Sequence, residues 1–524
     1  MNQNYAKGSE DIPLDTPKPA TISNGQIDSS DLRARSAKHP SLAVNLVWRA
    51  AANWSSQIVS WAALLVVVRL LSPADFGLVG MSVLLFWYLK FLGAFGITQT
   101  VIRHRDLSDE TLAQLNTMGV VFGVGSFFLA CIFVWPVALF FRNPRMVPVA
   151  IVTCVALIPL GVRSVPEGLM NQKMRLKSLS VFDALRDIVS AVVTVLLAWL
   201  GFHYWALVLG NLLSEIARCA IVLSVQRHRF AWPQWKVIRE PLTFGWRVLV
   251  SSFAWSTYNS LDNVTAGRVL GQSALGLYGM AWNLANTPLE KIVSLVTTLI
   301  PAYLSRVQTD MAALRQYVSS LTEVIALATF PATIGLALVA REAVPLVLGA
   351  KWNGMIAPLE VLSVYAAFRS IVALIPRVLT TVGNARFVMR VEVAGLVLMP
   401  LAFWIGSHWG IRGIAFGWVV AYPLIAIPHY WKTFKTIEMK VGDYMRALRP
   451  ALDGSGAMIL VVGALKWALP PHQPRWLYPI TEVALGAGVY LAVVTLMHGE
   501  RVTHFLGIVK RLRGARAEVR ATVA

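Results

Sequence analysis

The chain has 524 residues, of which 56% are hydrophobic and 14% are charged, and its mean hydropathy is +0.59. Soluble domains carry about 25% charged residues, so this composition excludes a water-soluble globular protein and indicates a protein embedded in a bilayer. A formal net charge of +20 would suit a nucleic-acid-binding protein, but no soluble basic module concentrates that charge, which excludes this class.

In chain order, a polar N-terminal stretch without the apolar core of a signal peptide predicts a disordered cytoplasmic arm over 1–43. Apolar runs long enough to cross a hydrocarbon core then follow almost end to end, which predicts an all-α polytopic membrane protein with about 14 transmembrane helices. The predicted helices are 44–71, 77–101, 112–142, 147–170, 179–200, 203–225, 243–270, 276–302, 316–340, 356–382, 388–408, 411–432, 449–469 and 476–497.

An internal repeat organises these helices. The segment RLLSPADFGLVGM at 69–81 returns as RVLGQSALGLYGM at 268–280 with six identities, and each copy lies between two long apolar runs. Each copy of the repeated unit would hold six helices, an even number, so the copies are expected to share one orientation about a pseudo-two-fold axis along the membrane normal. The predicted units are an N-lobe over 44–225, a basic cytoplasmic linker over 226–242, a C-lobe over 243–432, an appended C-terminal helix pair over 433–498 and a basic cytoplasmic tail over 499–524.

The basic residues alternate with the predicted spans. Segments on one side of the membrane carry most of the Lys and Arg, including the N-terminal arm, the linker and the tail, whereas the alternate loops carry few. This is the positive-inside pattern, and it predicts that both termini are cytoplasmic.

Ionisable residues within apolar spans are costly and therefore indicate a water-filled cavity. A cavity lined by guanidinium and ammonium groups would suit an anionic cargo with phosphate oxygens. An alternative is local neutralisation, because Asp183 and Arg186, and likewise Glu215 and Arg218, are spaced i,i+3 on a helix. Arg49, Arg163 and Arg247 could also extend towards the membrane surface. The candidate cargo ligands are Lys90, Arg369, Arg163, Arg247, Lys291 and Arg49.

Acidic residues in the spans could bind a coupling proton or cation, or act as counter-charges to neighbouring basic residues. These candidates are Asp262, Glu290, Glu323 and Glu392. Aromatic residues recur at equivalent places in the two units and could support the apolar faces of sugar rings, although Trp and Tyr also serve at membrane interfaces and in helix packing. The aromatic candidates are Trp54, Trp61, Trp87, Tyr88, Trp255, Tyr258 and Trp282.

Other motifs predict packing more than chemistry. The three cysteines lie in apolar spans without paired spacing, so neither a disulfide nor a metal site is expected. Gly119-x-x-x-Gly123 and Gly413-x-x-x-Gly417 fit close helix contacts.

The ordered blocks of sequence also carry a family resemblance that covers about residues 44 to 440. The blocks are RLLSPADFGLVGM at 69–81, the stretch ending at Leu107, WALVLGNLLSEIAR at 205–218, GRVLGQSALGLYGMAWNLANTPLEKI at 267–292, IPAYLSRVQ at 300–308 and FPATIGLALVAREAVPLVLGAKW at 330–352. Together they resemble the Wzx-type exporters of the polysaccharide transport family, within the multidrug/oligosaccharidyl-lipid/polysaccharide (MOP) superfamily.

The resemblance implies two lobes around a cationic cavity and the transfer of undecaprenyl-diphosphate-linked oligosaccharide across a bacterial inner membrane, for exopolysaccharide, capsule or O-antigen assembly. It implies no cofactor, coupling to a proton or sodium gradient, and polysaccharide polymerase and export machinery as partners. Relatives often carry an acid before the Gly late in the second span, where this chain has Ala94-Phe95-Gly96. The alternatives are a multidrug exporter of the same superfamily, for which an acidic cavity is expected, and a membrane glycan polymerase or ligase. The short outer loops argue against the enzyme because they offer no acid, base or nucleophile constellation.

Overall fold

The computed structural model describes residues 57–94, 96–104, 106–173, 175–297, 310–468 and 477–499. This part of the chain is built from α-helices joined by short turns, with π-helical turns at Ala266–Leu270 and Val344–Leu348 and a 3-10 turn at Ala350–Met355. The α-helices are α1 (Gln57–Leu70), α2 (Pro73–Ala94), α3 (Ile97–Arg103), α4 (Asp109–Phe141), α5 (Met146–Val155), α6 (Leu157–Val162), α7 (Ser164–Gln172), α8 (Leu176–Trp199), α9 (Tyr204–Val225), α10 (Trp235–Thr265), α11 (Gln272–Thr297), α12 (Met311–Ala343), α13 (Ile356–Val372), α14 (Ile375–Thr381), α15 (Ala385–Ser407), α16 (Gly410–Thr436), α17 (Val441–Ala468) and α18 (Leu477–Met497).

Among the described residues, nine helical stretches are long and apolar enough to cross a membrane, and one bent pair of helices brings the number to ten. The all-α membrane class is therefore confirmed, while the count of fourteen spans and the division into lobes stay predictions. Three of the predicted spans correspond to α8, α10 and α11, which are long helices that carry more polar and charged residues than their neighbours.

The predicted fourth span, 147–170, is not one straight helix. Met146–Val162 and Ser164–Gln172 meet at an angle of 47°, and Arg163 is the residue between them. Pro166 explains the break, because it has no N–H to donate to the carbonyl of Val162 one turn earlier. The bend places the Arg163 side chain among the helices instead of along a straight helix surface.

The two copies of the sequence repeat contact each other directly. Gly77 in α2 lies so close to α11 that an added Cβ would overlap the carbonyl oxygen of Gln272. The equivalent Gly276, 199 residues later, lies equally close to the carbonyl oxygen of Pro73. Since Pro73 and Gln272 are also 199 residues apart, the contact is reciprocal, as expected at a pseudo-two-fold axis.

Further bonds close the same end of the molecule, which we call the repeat-contact end. Gln272 donates its amide to Ala74 O at 2.6 Å and accepts from the Asn143 amide at 2.8 Å. The Lys351 ammonium donates to the carbonyl of Arg69 at 2.8 Å, and the buried indole of Trp352 donates to Val68 O at 3.1 Å. The first and second halves of the chain are thus joined here by both close packing and hydrogen bonds.

Both predicted glycine motifs form close helix contacts. In α4, Gly119 and Gly123 lie against Gly161 of α6, and a Cβ on Gly119 would come within 2.7 Å of the Gly161 carbonyl oxygen. In α16, Gly413 lies against Gly406 of α15 in the same manner. Small residues let helix backbones approach in lipid, where the hydrophobic effect does not drive helices together.

The appended pair, α17 and α18, packs on α12. Gly454 of α17 lies under the Tyr490 ring of α18, and the Tyr490 hydroxyl donates to Leu327 O of α12 at 2.9 Å. The pair is therefore fixed to the second half of the chain.

The reciprocal glycine contact yields a stability prediction. Gly77→Ala and Gly276→Ala should each lower the free energy of unfolding by about 1–3 kcal/mol, because a methyl group there must push two backbones apart. Thermal denaturation of the purified protein in detergent measures this.

The next glycines of the same two motifs provide matched controls. A Cβ at Gly80 would meet only the Leu275 side chain at 3.4 Å, and one at Gly279 only Asn263 Oδ1 at 3.9 Å. Gly80→Ala and Gly279→Ala should therefore leave the melting temperature close to that of the natural chain, and equal losses in all four variants would show that the contact is not special.

Candidate functional site

The first half of the chain contains a network of ion pairs that joins α7, α8 and α9. At the bend, the Arg163 guanidinium is 2.8 Å from a Glu215 oxygen and 3.4 Å from Glu167. The guanidinium of Arg218 is 3.0 Å from Glu167 and 2.8 Å from Asp183. We call this group the arginine cluster; its members are Arg163, Glu167, Asp183, Arg186, Asp187, Glu215 and Arg218.

The partners in this cluster differ from those expected by local spacing. Arg186 pairs with Asp187 at 2.7 Å and Glu215 at 3.4 Å and not with Asp183, while Arg218 pairs with Glu167 and Asp183 and not with Glu215. The predicted i,i+3 pairs are therefore wrong, although neutralisation itself occurs. Its physical basis is that charges from three helices meet at the bend, where an interhelical partner lies closer than the one on the same helix face.

The arginine cluster contains one more carboxylate than guanidinium groups. Three guanidinium groups face four carboxylates. Arg163 is only 4% exposed, and two of its nitrogens, Nε and Nη1, have no hydrogen-bond acceptor among the described residues. The predicted cargo ligand Arg163 thus lies within a compensated network, which stabilises the bend and contributes little net positive charge.

Lys90 lies beside this network. Its ammonium is 4.5 Å from the Trp87 ring centroid, within cation–π range, and within electrostatic reach of Glu215 and the cluster arginines. Within the described part of the chain, no carboxylate approaches Lys90 to salt-bridge distance, so its charge is not directly compensated as that of Arg163 is.

The second half of the chain contains a buried carboxylate surrounded by aromatic rings. The side chain of Asp262 is fully buried; one of its oxygens accepts from the Tyr278 hydroxyl at 2.8 Å and from the Trp418 indole at 3.1 Å. The other oxygen accepts from Asn263 through both the backbone N–H at 2.8 Å and the side-chain amide at 3.0 Å. These bonds replace the water that a buried carboxylate loses.

The rings around Asp262 continue towards Arg369. Trp282 lies 5.2 Å from the Trp418 ring and 6.2 Å from Tyr365, centroid to centroid. The Arg369 guanidinium is 5.6 Å from the Trp282 centroid and donates to Asn286 Oδ1 at 2.8 Å. Arg369 is thereby held at the edge of what we call the aromatic cluster: Asp262, Tyr278, Trp282, Tyr365 and Trp418.

The structure brings some of the predicted residues together and leaves others apart. Tyr88 is half-buried and hydrogen-bonds Thr257 of α10, which joins the two halves of the chain. Glu290 and Lys291 are exposed near the end of α11, and Trp61 and Trp87 are 38% and 45% exposed. Glu323 and Glu392 are half-buried on α12 and α15. Arg49 and Trp54 lie outside the described residues, as do the side chains of Arg247, Trp255 and Tyr258.

Sequence reasoning missed two groups. The first group consists of the rings around Asp262, namely Trp418, Tyr278 and Tyr365. In the sequence, these residues could have been noticed as aromatic side chains with a polar atom inside otherwise apolar spans. A second group joins Lys466 to Glu342 at 2.8 Å and Glu482 at 3.4 Å. Glu482 lies one and a half turns into the last span, where its isolated charge was the signal.

Comparison with known proteins identifies the family to which this chain belongs. A family model described as polysaccharide biosynthesis protein matches residues 66–357, which is more than half of the chain. The chain belongs to this family. Among its relatives, the lipopolysaccharide biosynthesis protein WzxC of Escherichia coli (strain K12) is 25% identical over 71% of the chain and 76% of the relative. A membrane protein of the cps region of Klebsiella pneumoniae is 22% identical over 89% of the chain and 97% of the relative.

Solved structures give the fold of this family member. The lipid II flippase MurJ, in an inward closed conformation, matches with a TM-score of 0.67 at 11% identity, over 87% of the chain and all of MurJ. An inward-facing multidrug resistance transporter of the MATE family matches with a TM-score of 0.58 at 17% identity, over 73% of the chain and 94% of the transporter. The family match confirms the predicted relation to polysaccharide biosynthesis proteins, among them WzxC, and these two solved structures show the same fold. The protein is a multi-pass membrane protein and, as its family indicates, not an enzyme.

The arginine cluster predicts a large stability loss from a small change. Glu215, whose side chain is 13% exposed, pairs with both Arg163 and Arg186. Glu215→Gln should lower the free energy of unfolding by about 3–5 kcal/mol, because the buried Arg163 guanidinium loses its closest counter-charge. Denaturation of the purified variant measures this loss.

Asp443→Asn is the control, since its partner Arg446 is 73% exposed and such surface pairs contribute at most about 1 kcal/mol. A Glu215→Gln variant as stable as the control would mean that water compensates Arg163.

Proposed function

We propose that this chain moves undecaprenyl-diphosphate-linked oligosaccharide repeat units from the cytoplasmic to the periplasmic leaflet of the inner membrane. The observation that carries the proposal is the position of two basic side chains, Lys90 and Arg369, within a membrane transporter of the polysaccharide biosynthesis family. A diphosphate with a glycan cannot cross about 30 Å of hydrocarbon unaided, whereas its polyprenyl tail can stay in lipid.

Lys90 and Arg369 would bind the diphosphate oxygens in this mechanism. The arginine cluster contains more carboxylates than guanidinium groups, which makes it a poor phosphate site, whereas Lys90 has its charge available beside it. A hydrogen bond to Asn286 and the ring face of Trp282 help to orient Arg369, and an oriented guanidinium suits two phosphate oxygens. Trp87 and Trp282, which already contact these cations, would lie next to the first sugar.

Alternating access would depend on the repeat-contact end. The positive-inside pattern predicts that this end is periplasmic, so its closed bonds would correspond to a state that takes cargo from the cytoplasmic leaflet. Release would require α2 and α11 to separate at Gly77 and Gly276. The cargo would then continue to the polymerase and export machinery of the resulting polysaccharide.

Asp262 is the coupling-ion candidate that the geometry favours. It is the fully buried acid of the predicted four, and it contacts α11 and α16 through Tyr278 and Trp418. Binding of a proton or sodium ion there would change bonds between three helices at once. Asp262→Asn should abolish the gradient dependence of flipping in proteoliposomes, and an unchanged gradient dependence would reject this role.

A multidrug exporter is the second candidate, because aromatic rings around a carboxylate are a typical receptor for an organic cation. Asp262 is fully buried behind Tyr278 and Trp418, so a bulky organic cation could reach it only by displacing these rings, which disfavours this candidate. Retention of an organic cation by the purified protein, without any response to lipid-linked sugar, would support it.

The flippase proposal predicts the effect of removing either cation. Lys90→Ala and Arg369→Ala, at normal expression, should each reduce polysaccharide export about tenfold or more, because a hydrogen bond to a charged group contributes about 1.5–3 kcal/mol. Complementation of a strain that lacks the gene, with quantified surface polysaccharide, measures this.

Lys90→Arg should retain most export because it keeps the charge. Arg341→Ala serves as the surface control, since Arg341 is 72% exposed and pairs with Glu360 away from both clusters. Full export by Lys90→Ala and Arg369→Ala would remove both residues from the cargo path.

A further inference from the structure

The appended helix pair contains an ionisable group that the cargo path does not use. Lys466 lies in the last turn of α17, Glu342 in the last turn of α12, and Glu482 near the start of α18. The Lys466 ammonium donates to Glu342 at 2.8 Å and to Leu338 O at 2.5 Å. Glu482 lies 3.4 Å from the same ammonium, at the limit of a useful hydrogen bond.

The Glu482 carboxyl is the poorly compensated member of this group. Its side chain is 0% exposed, and neither of its oxygens has a hydrogen-bond donor among the described residues. Lys466 directs its short bonds to Glu342 and Leu338, so it compensates one carboxylate and not two. If both acids were ionised, the group would carry one uncompensated negative charge in a dry environment.

Among the described residues, the space next to Glu482 offers no alternative polar partner. A cavity of about 310 Å³ lies between α12, α17 and α18, with Glu482 on its wall. The remaining lining is apolar, and includes Pro331, Val339, Met458 and Val483. The charged groups that face Glu482 are Lys466 from α17 and Glu342 from α12, and within the described part of the chain no third helix contributes another.

We propose that Glu482 is a proton-binding site through which protonation controls how the appended pair docks on α12. A proton makes the three-residue group neutral and needs no coordination shell, which this site lacks. A metal cation is disfavoured because the Lys466 ammonium is 3.4 Å away and because two buried, donor-free oxygens provide too few ligands.

The direction of the effect follows from the charge count. With Glu482 protonated, the pair Lys466–Glu342 is balanced and α18 packs against α12 without a net charge. With Glu482 ionised, the two carboxylates compete for one ammonium and the contact weakens. Docking should therefore be favoured at low pH, as on the proton-rich side of an energised membrane, and weakened as pH rises.

This inference deepens the coupling part of the proposed function, but proton binding can be tested without transport. Infrared difference spectroscopy of the full chain in lipid bilayers detects a protonated, weakly hydrogen-bonded carboxyl by its carbonyl band. The natural chain should show such a band that disappears as pH is raised, and Glu482→Gln should lack it.

Glu342→Gln distinguishes proton binding from a purely structural role. It frees Lys466 to compensate Glu482, so the band should disappear at a lower pH than in the natural chain. Glu360→Gln, which only breaks the pair with exposed Arg341, should leave the band unchanged. A spectrum of Glu482→Gln identical to that of the natural chain would show that Glu482 is ionised and would overturn the proposal.

A transport measurement then separates this proposal from the flippase proposal. If both are correct, Glu482→Gln moves lipid-linked sugar in proteoliposomes at a rate that changes less with pH than the rate of the natural chain. A titrating band in a protein that moves no lipid-linked sugar would sustain the proton site and reject the cargo. Unaltered pH dependence in Glu482→Gln would reject the role of the site in coupling.

Discussion

The close approach of two backbones at Gly77 and Gly276 is the constraint on which the rest of this architecture depends. Each glycine lies against the first turn of the other helix, at the carbonyl oxygens of Gln272 and Pro73. No other residue fits without displacing a backbone, which explains why this glycine is identical in the two copies of the repeat. The contact joins the two copies of the repeat, and hydrogen bonds made by Arg69, Lys351 and Trp352 join the two halves of the chain at the same end of the molecule.

Around this common axis the two halves have different polar interiors. The first half has the arginine cluster, with charges that compensate each other across α7, α8 and α9. The second half has Asp262 and its rings, whereas the positions 199 residues earlier, Ala63 and Val79, are apolar where Asp262 and Tyr278 are polar. The first half thus has a charge network at a helix bend, whereas the second half has a buried carboxylate and an aromatic cluster that contacts Arg369.

The sequence predicted the helical membrane class, the repeat and both glycine contacts, because these depend on composition, periodicity and local spacing. The family was predicted from the resemblance of ordered sequence blocks to those of known proteins. The sequence did not predict the pairing of charges, because that depends on how helices cross. Arg163 illustrates the reason: Pro166 breaks the helix beside it, and the resulting 47° bend brings Glu215 from a distant span to 2.8 Å. Trp418 was missed as a ligand of Asp262 because 156 residues separate them and nothing local marks the contact.

We propose that the reciprocal contact between α2 and α11 opens to release cargo. Leu70 and Val269 are equivalent positions at the repeat-contact end, and they are 44% and 49% exposed. After Cys131, Cys154 and Cys219 are replaced by Ala, a cysteine can be introduced at each of these two positions and spin-labelled. Pulsed electron–electron double resonance in lipid bilayers then measures the distance between the two labels. The account predicts one short distance in the unliganded protein and a second, longer distance that gains population with lipid-linked sugar. A single distance that is unchanged by cargo and by an ion gradient would contradict it.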